Sequence, residues 1–188
     1  MRSIPGTSSP CSPHDERALT RTTVALGIDA PPRLVFDLAR DVERWPALLP
    51  HYIRVRVIER HADGALTAEM VAVRSIIPAL GYGVPVAWRA RTWARPEDLE
   101  LRFVHLGGAT DGMDVTWRID QTTTGCEVRI EHDFQPALPA WAALLDRFVV
   151  HPIATRTLAT FKAIAEAVVA SRVEGGRSVR TPPSNRAV

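Results

Sequence analysis

The most informative part of the sequence is "APPRLVFDLARDVERWPALLPHYIRVRVIER", which runs from Ala30 to Arg60. Its first part has apolar residues at helical spacing, and Pro32 suits the first turn of a helix. We expect its buried face to consist of Leu34, Val35, Leu38 and Val42. Pro46 and Pro50 bound a second, shorter helix, and from Tyr52 onward the period changes to two, as in a β-strand.

Seven segments of the chain alternate with period two and predict strands. One precedes the short helices, at 20–29, and six follow them, at 52–60, 65–75, 84–95, 98–106, 112–121 and 126–134. Turn residues in the short breaks, such as Asp63-Gly64, predict the hairpins of an antiparallel sheet. The one long break, "SIIPALGYG" from Ser75 to Gly83, is apolar enough to form a flap.

The last segment, from Leu138 to Arg172, has an apolar stripe at helical spacing, and Pro152 predicts a kink or two pieces. This helix must cover the apolar face of the sheet, because it is the only large element available. The sequence therefore predicts an α+β fold, in which a seven-stranded curved antiparallel sheet surrounds a long C-terminal helix. We expect one domain over residues 19–172, with disordered tails over 1–18 and 173–188.

Composition excludes several classes of function. The chain has 188 residues and a formal net charge of +2, and its 22 arginines and one lysine are scattered among acids. No basic stripe for nucleic acid results. Cys11 and Cys126 have no metal-type spacing and form no disulfide framework, which favours a reducing cytoplasm. We expect no membrane span, no signal peptide, no metal and no cofactor.

The predicted inner face of the sheet carries small, aromatic and polar side chains. Ala68, Ala72, Ala90 and Thr92 face the helix, which indicates either an unfilled cavity or ordinary core packing. His105 and His132 alternate with apolar neighbours and could move a proton at neutral pH or be satisfied core groups. Arg74 ends the inner face of its strand, where it could anchor a carbonyl or phosphate, or extend into water.

Tyr52 is the hydrogen-bond donor that we favour. Simple alternation gives it the same face as Arg54 and Arg56, which would place its hydroxyl in water. Its position directly after the Pro50-bounded helix argues instead for a place at the opening of a pocket.

The run from Ile28 to Tyr52, the six later strands and "GMDVTW" before the terminal helix resemble the START-like helix-grip (SRPBCC) superfamily. Within it, they are similar to polyketide aromatase/cyclases and to coenzyme-Q-binding proteins. The resemblance covers about residues 22–170. It implies a deep pocket for a poly-β-ketone chain, with an acyl carrier protein as a candidate partner.

The resemblance also implies pocket residues. The family's pocket aromatic and methionine side chains fall on Trp45, Tyr52, Trp88, Met113 and Trp117, and Leu49, Met70 and Phe103 complete the predicted wall. The family's pocket arginine falls on Thr92, and its serine falls on Ala90. The neighbouring Arg91 points to the other face of a regular strand, so that either Arg74 or a bulge at Arg91 would have to replace the arginine.

Two functions follow from this reading. The first is a cofactor-independent polyketide cyclase/aromatase, with Tyr52 orienting a carbonyl and Arg74, His105 or His132 assisting. The second is a binding or transport protein for a quinone, a lipid or a polyketide product. Either would bind a small apolar or aromatic ligand, as a monomer or a homodimer.

Overall fold

The computed structural model describes residues 20–77, 82–107, 110–134 and 143–178. Seven strands form one antiparallel sheet in the order β1-β7-β6-β5-β4-β3-β2. They are β1 (Thr20–Ile28), β2 (Tyr52–Arg60), β3 (Leu66–Ile77), β4 (Tyr82–Arg95), β5 (Glu100–His105), β6 (Asp114–Gln121) and β7 (Cys126–Phe134). The predicted sheet is confirmed, and β2 and β7 have the predicted bounds.

The connection between the two edge strands consists of short helices. These are α1 (Pro32–Arg40), a 3₁₀ turn (Val42–Arg44) and α2 (Trp45–Leu48). The predicted apolar face of α1 is partly wrong, because Phe36 and Ala39 are fully buried while Leu34 and Leu38 are only half-buried. The reason is that α1 packs against both β6 and the C-terminal helix, which turns a different side of it inward.

The predicted flap is mostly strand. β3 continues to Ile77 and β4 begins at Tyr82, so that only residues 78–81 of the segment lie outside the described part of the chain. The β-branched Ile76 and Ile77 explain the extension, because such residues favour extended backbone.

The C-terminal helix is not divided at Pro152: the backbone is helical without a break from residue 143 to residue 178, and only its hydrogen bonding changes beside the proline. A π-helical turn (Asp146–Val150) leads directly into α3 (His151–Ser178). The predicted domain ends at residue 172, whereas α3 continues to Ser178. This last part of the helix includes two glycines, a residue type that weakens a helix. Its inner side buries Leu158, Phe161 and Ala165 against the sheet.

The outer face of the sheet carries paired charges. Glu69 accepts hydrogen bonds from Arg56 and Arg89, and Arg118 lies beside Glu131. Trp93 is also on this face, with the Arg102 guanidinium 5.9 Å from its ring centre. Among the described residues, no helix combines the length and apolarity that crossing a membrane would need.

Candidate functional site

A cavity of about 350 Å³ lies between the inner face of the sheet and the first turns of the C-terminal helix. Its volume is at the small end of the range for ligand pockets. The predicted residues on its wall are Trp45, Tyr52, Met70, Trp88, Phe103, His105, Met113, Trp117 and His132. The aromatic, methionine and histidine side chains of the inner face therefore do border an unfilled space.

Aromatic rings close one end of this cavity. The ring centres of Trp45 and Trp117 are 5.7 Å apart, and each lies about 6 Å from the ring of Phe161 on α3. The Trp45 Nε1–H donates to the Ala39 carbonyl at 2.9 Å, which fixes the indole where its residue type requires a partner. The sheet and the helix are therefore in direct contact at this end, and the cavity separates them beyond it.

Three predicted wall residues are not on the wall. Leu49 and Ala90 are fully buried and Thr92 is nearly so, but none of them borders the cavity. They belong to the packed core beside it. Ala68 and Ala72 do not border the cavity either, so that of the two readings of these small side chains, ordinary core packing is the one that the structure supports.

A β-bulge decides the orientation of Tyr52. The register of β2 on β3 shifts between Tyr52 and Arg54, so that Tyr52 lies opposite Ala72 while Arg54 lies opposite Val71. The extra residue, Ile53, breaks the alternation that gave Tyr52 and Arg54 the same face. The prediction from alternation was wrong here, and Tyr52 is buried at the cavity.

The Tyr52 ring sits between two tryptophans. Its centre is 5.0 Å from Trp45 and 6.0 Å from Trp88, with steep interplanar angles in both contacts. Burial raises the pKa of Tyr52, and the Thr157 hydroxyl acts in the opposite direction. The phenol therefore keeps its proton at neutral pH and can serve as a hydrogen-bond donor.

His51 and Thr157 form a buried link that the sequence did not predict. The Thr157 hydroxyl donates to the Ile153 carbonyl at 2.8 Å, so the 2.9 Å contact requires His51 Nε2–H to donate to Thr157 Oγ1. Burial then lowers the pKa of His51 to about 4, with Arg156 adding to the effect. This link ties the start of β2 to α3 directly behind Tyr52.

Two histidines on adjacent parts of the inner face border the cavity. His105 bonds through Nδ1 to Thr110 Oγ1 at 2.9 Å and stacks on Trp88 with ring centres 5.9 Å apart. Burial lowers its pKa to about 4, and the neighbouring His132 contributes. Burial likewise lowers the pKa of His132 to about 4, against the opposing charge of Asp146. Both imidazoles are neutral at pH 7.

Neither candidate arginine faces the cavity. The register between β3 and β4 is regular at Arg91, which points outward and pairs with Asp63 at 2.6 Å. Arg74 is half-buried, and its Nε–H donates to the Phe148 carbonyl at 2.5 Å, with a second bond to the Ser75 carbonyl. The described register contains no bulge at Arg91, so the alternative in which a bulge turns Arg91 inward is excluded.

The helix supplies a wall that sequence reasoning largely missed. Besides Leu145, it consists of Val149, Val150, Ile153, Ala154 and Thr157. These positions have helical spacing and could have been found, but the predicted stripe placed Leu144 and Phe148 inside, and both are exposed. The π-helical turn rotates the chain and changes which side faces inward.

Residues 28–162 match the family model described as polyketide cyclase/dehydrase and lipid transport. The match covers most of the chain and includes every residue on the cavity wall. The chain belongs to this family. The resemblance in the sequence to the START-like helix-grip superfamily is thereby confirmed.

Named relatives agree with the family. Two Streptomyces proteins carry the name of a polyketide cyclase. The Streptomyces cyaneus protein is 29% identical over 108 residues, which cover 57% of this chain and 67% of its own length. The Streptomyces halstedii protein is 30% identical over 103 residues, covering 54% and 89%.

Solved structures show the same fold. The Zhui aromatase/cyclase of a Streptomyces species superposes with a TM-score of 0.66 at 17% identity, covering 80% of this chain and 96% of that one. A START superfamily protein of Mycobacterium smegmatis gives a TM-score of 0.59 at 12% identity, covering 80% and 98%. At such identities, the likeness establishes the helix-grip architecture alone.

The cyclase-family cavity of this chain is apolar with a few polar groups. Across the described residues, no group of three His, Cys, Asp or Glu side chains is placed to hold a metal ion. The polar groups on its wall are Tyr52, His105, Thr110, His132 and Thr157. They can donate and accept hydrogen bonds and move a proton at neutral pH.

Proposed function

We propose that this chain is a cofactor-independent polyketide cyclase/aromatase, which shapes a poly-β-ketone-type or related apolar substrate for ring closure and dehydration. The observation that carries the proposal is the aromatic-lined cavity of about 350 Å³, with Tyr52 and two neutral histidines on its wall, in a chain of the polyketide cyclase family. The fold alone would not suffice, because one fold hosts many functions.

The chemistry needs little more than these groups. A methylene between two carbonyls is already acidic, so a neutral imidazole suffices to remove its proton. The resulting carbanion attacks a ketone carbon further along the folded chain, and the ketone oxygen becomes a hydroxyl by taking up a proton. Loss of that hydroxyl with a neighbouring hydrogen as water begins the aromatic ring.

We assign the proton removal to His105 or His132. Both are neutral at pH 7, so each has a free lone pair, and their burial places them beside the guest rather than in water. The Thr110 hydroxyl holds His105 through Nδ1, which leaves Nε2 for the guest.

We assign the orientation of a ketone oxygen to Tyr52. Its raised pKa keeps the hydroxyl protonated, and the flanking rings of Trp45 and Trp88 hold it in one place. Which carbonyl meets this hydroxyl would decide which carbons join, because positioning the chain is the largest contribution that a pocket can make.

Replacing Tyr52 by phenylalanine tests this role. We expect Tyr52→Phe to lower the cyclisation rate on the order of a hundredfold and to change the ratio of ring-closure products, measured by chromatography of a poly-β-ketone reaction mixture. Tyr82→Phe is the matched control, because Tyr82 is 60% exposed and lies off the cavity. An unchanged product profile at wild-type rate would remove Tyr52 from the mechanism.

One observation favours a second function, a carrier of a quinone, a lipid or a polyketide product. Of the two candidate arginines, Arg91 pairs with Asp63 outside and Arg74 bonds to main-chain carbonyls, so neither lines the cavity. Native mass spectrometry of protein purified from its host distinguishes the two functions. A co-purifying isoprenoid quinone, together with no turnover of poly-β-ketones, would favour carriage.

A further inference from the structure

Arg74 connects the sheet to the turn that forms part of the cavity wall. It follows Met70 and Ala72 on the inner face of β3 and lies opposite Val84. Its Nε–H donates to the main-chain carbonyl of Phe148 at 2.5 Å, within the π-helical turn before α3. Within the described part of the chain, no backbone hydrogen bond connects these two elements, and the Arg74 side chain joins them.

The sequence of the helix explains why that carbonyl needs an external donor. In an α-helix, the Phe148 carbonyl would accept from the N–H of the residue four positions later, which is Pro152. Proline has no N–H to donate. π-helical bonding ends with the bond from the His151 N–H to the Asp146 carbonyl, five residues earlier, and the α-helix begins at His151. With α-helical spacing resumed, the Phe148 carbonyl would depend on the N–H that Pro152 lacks.

The π-helical turn and the residues beside it form one side of the cavity. Leu145, Val149 and Val150 point into the space, and Ile153 and Ala154 continue the same wall on α3. A shift of the turn therefore moves several apolar side chains at once. It would change the shape that a guest meets without touching Tyr52 or the histidines.

We propose that Arg74 is a positioning residue, which replaces the missing Pro152 donor at the Phe148 carbonyl and thereby sets the position of the cavity wall. The inference rests on the proposed guest-binding role of the cavity and assigns its shape selectivity to this bond. Arg74 acts through the helix rather than on the substrate.

The test uses the full chain and a compensating pair of substitutions. Arg74→Met keeps an unbranched stem and removes the donors, and Pro152→Ala restores an N–H at the position that an α-helix would use. Arg91→Met is the matched control, because Arg91 is an arginine on the next strand that pairs with Asp63 on the outer face. The affinity for 1-anilinonaphthalene-8-sulfonate is measured by fluorescence, and amide hydrogen exchange is measured over residues 149–154.

We expect Arg74→Met to weaken binding of this probe about tenfold and to speed exchange over residues 149–154, while Arg91→Met changes neither. Adding Pro152→Ala to Arg74→Met should bring both the probe affinity and the exchange rate over residues 149–154 most of the way back to their wild-type values. A merely structural role of Arg74 would lower the thermal midpoint without rescue by Pro152→Ala. Arg74→Lys, which keeps a cation and a donor, should lie between wild type and Arg74→Met, and it serves should Arg74→Met not fold.

Wild-type affinity and exchange rates in Arg74→Met, or a double variant no better than Arg74→Met, would overturn the inference. The exchange measurement needs no guest, and the probe needs no turnover. The exchange and probe measurements could therefore give the expected results while the protein cyclises no poly-β-ketone. That outcome would contradict the proposed catalysis and would still support the role of Arg74.

Discussion

In the proposed mechanism, His105 can act as a base because it is neutral, oriented and on the cavity wall. Burial lowers its pKa to about 4, Thr110 fixes one ring nitrogen, and Trp88 stacks on its face. An imidazole whose conjugate acid has so low a pKa is a weak base. The acidity of a 1,3-dicarbonyl methylene lowers the base strength that the step requires, and the same burial that weakens the base keeps it unprotonated at neutral pH.

Replacing His105 separates proton transfer from binding. We expect His105→Gln, which keeps a polar group near Thr110, to lower the cyclisation rate about a hundredfold and to leave probe affinity within a few-fold. The measurement is single-turnover kinetics beside fluorescence titration. His61→Gln is the control, because His61 is also half-buried and bonds to a threonine, Thr67 at 2.8 Å, but lies off the cavity. Equal rates in the two variants would contradict the assignment.

The orientation of single residues was predictable only where the strands are regular. Alternation correctly placed Met70, Trp88, His105 and His132 at the cavity and Arg91 outside it. It failed at Tyr52, because the bulge at Ile53 has no sequence signature that alternation can detect. It also gave no sign of the bond from Arg74 to Phe148, which depends on how two distant segments pack.

At the scale of elements, the turn between β6 and β7 packs unusually closely on the end of β1. A Cβ atom added at Gly125 would collide with the Ile28 carbonyl oxygen and would lie 2.8 Å from the Ala30 nitrogen. Both contacts are with backbone, which cannot rotate away. Because Gly125 has no side chain, the end of β1 and the connection to α1 can pack directly against the turn between β6 and β7.

A pair of alanine substitutions tests this packing. We expect Gly125→Ala to lower the free energy of unfolding by about 2–3 kcal/mol, because the added methyl must displace backbone. Gly27→Ala, on the same strand end, meets nothing within 4 Å and should change stability by less than about 1 kcal/mol. Urea unfolding of both variants measures the difference. Similar losses in both would mean that the turn can move away from β1.

Elements were predicted better than their contacts. The sheet followed from period two and turn residues, and a disturbance of the terminal helix beside Pro152 followed from the missing N–H of that proline, although the helix is not divided there. The side of the helix that lines the cavity did not follow, because a π-helical turn shifts the angular positions of all later residues relative to earlier ones. The close contact between Gly125 and the end of β1 could also not be predicted from the sequence, because it depends on how distant segments pack.

At the scale of the molecule, one inner volume serves both as core and as binding space. The rings of Trp45, Trp117 and Phe161 fill one end, and the other end stays open between sheet and helix. Three histidines, His51, His105 and His132, are neutral in this interior, with pKa values lowered to about 4. Polar function and core stability are therefore coupled through protonation.

This coupling predicts that the fold weakens in mild acid. In the unfolded chain each of the three histidines binds a proton as pH falls through about 6.5, whereas in the folded chain each stays neutral until about pH 4. The unfolded state therefore binds more protons between these values, and the free energy of unfolding must fall as pH falls across that window.

Urea unfolding at pH 7 and at pH 4.5 should show a loss of several kcal/mol in the free energy of unfolding. His132→Gln should make that loss smaller by removing one of the three groups. Stability that is flat between pH 6.5 and 4.5, or a loss that is the same in wild type and His132→Gln, would show that these histidines are not held neutral by burial.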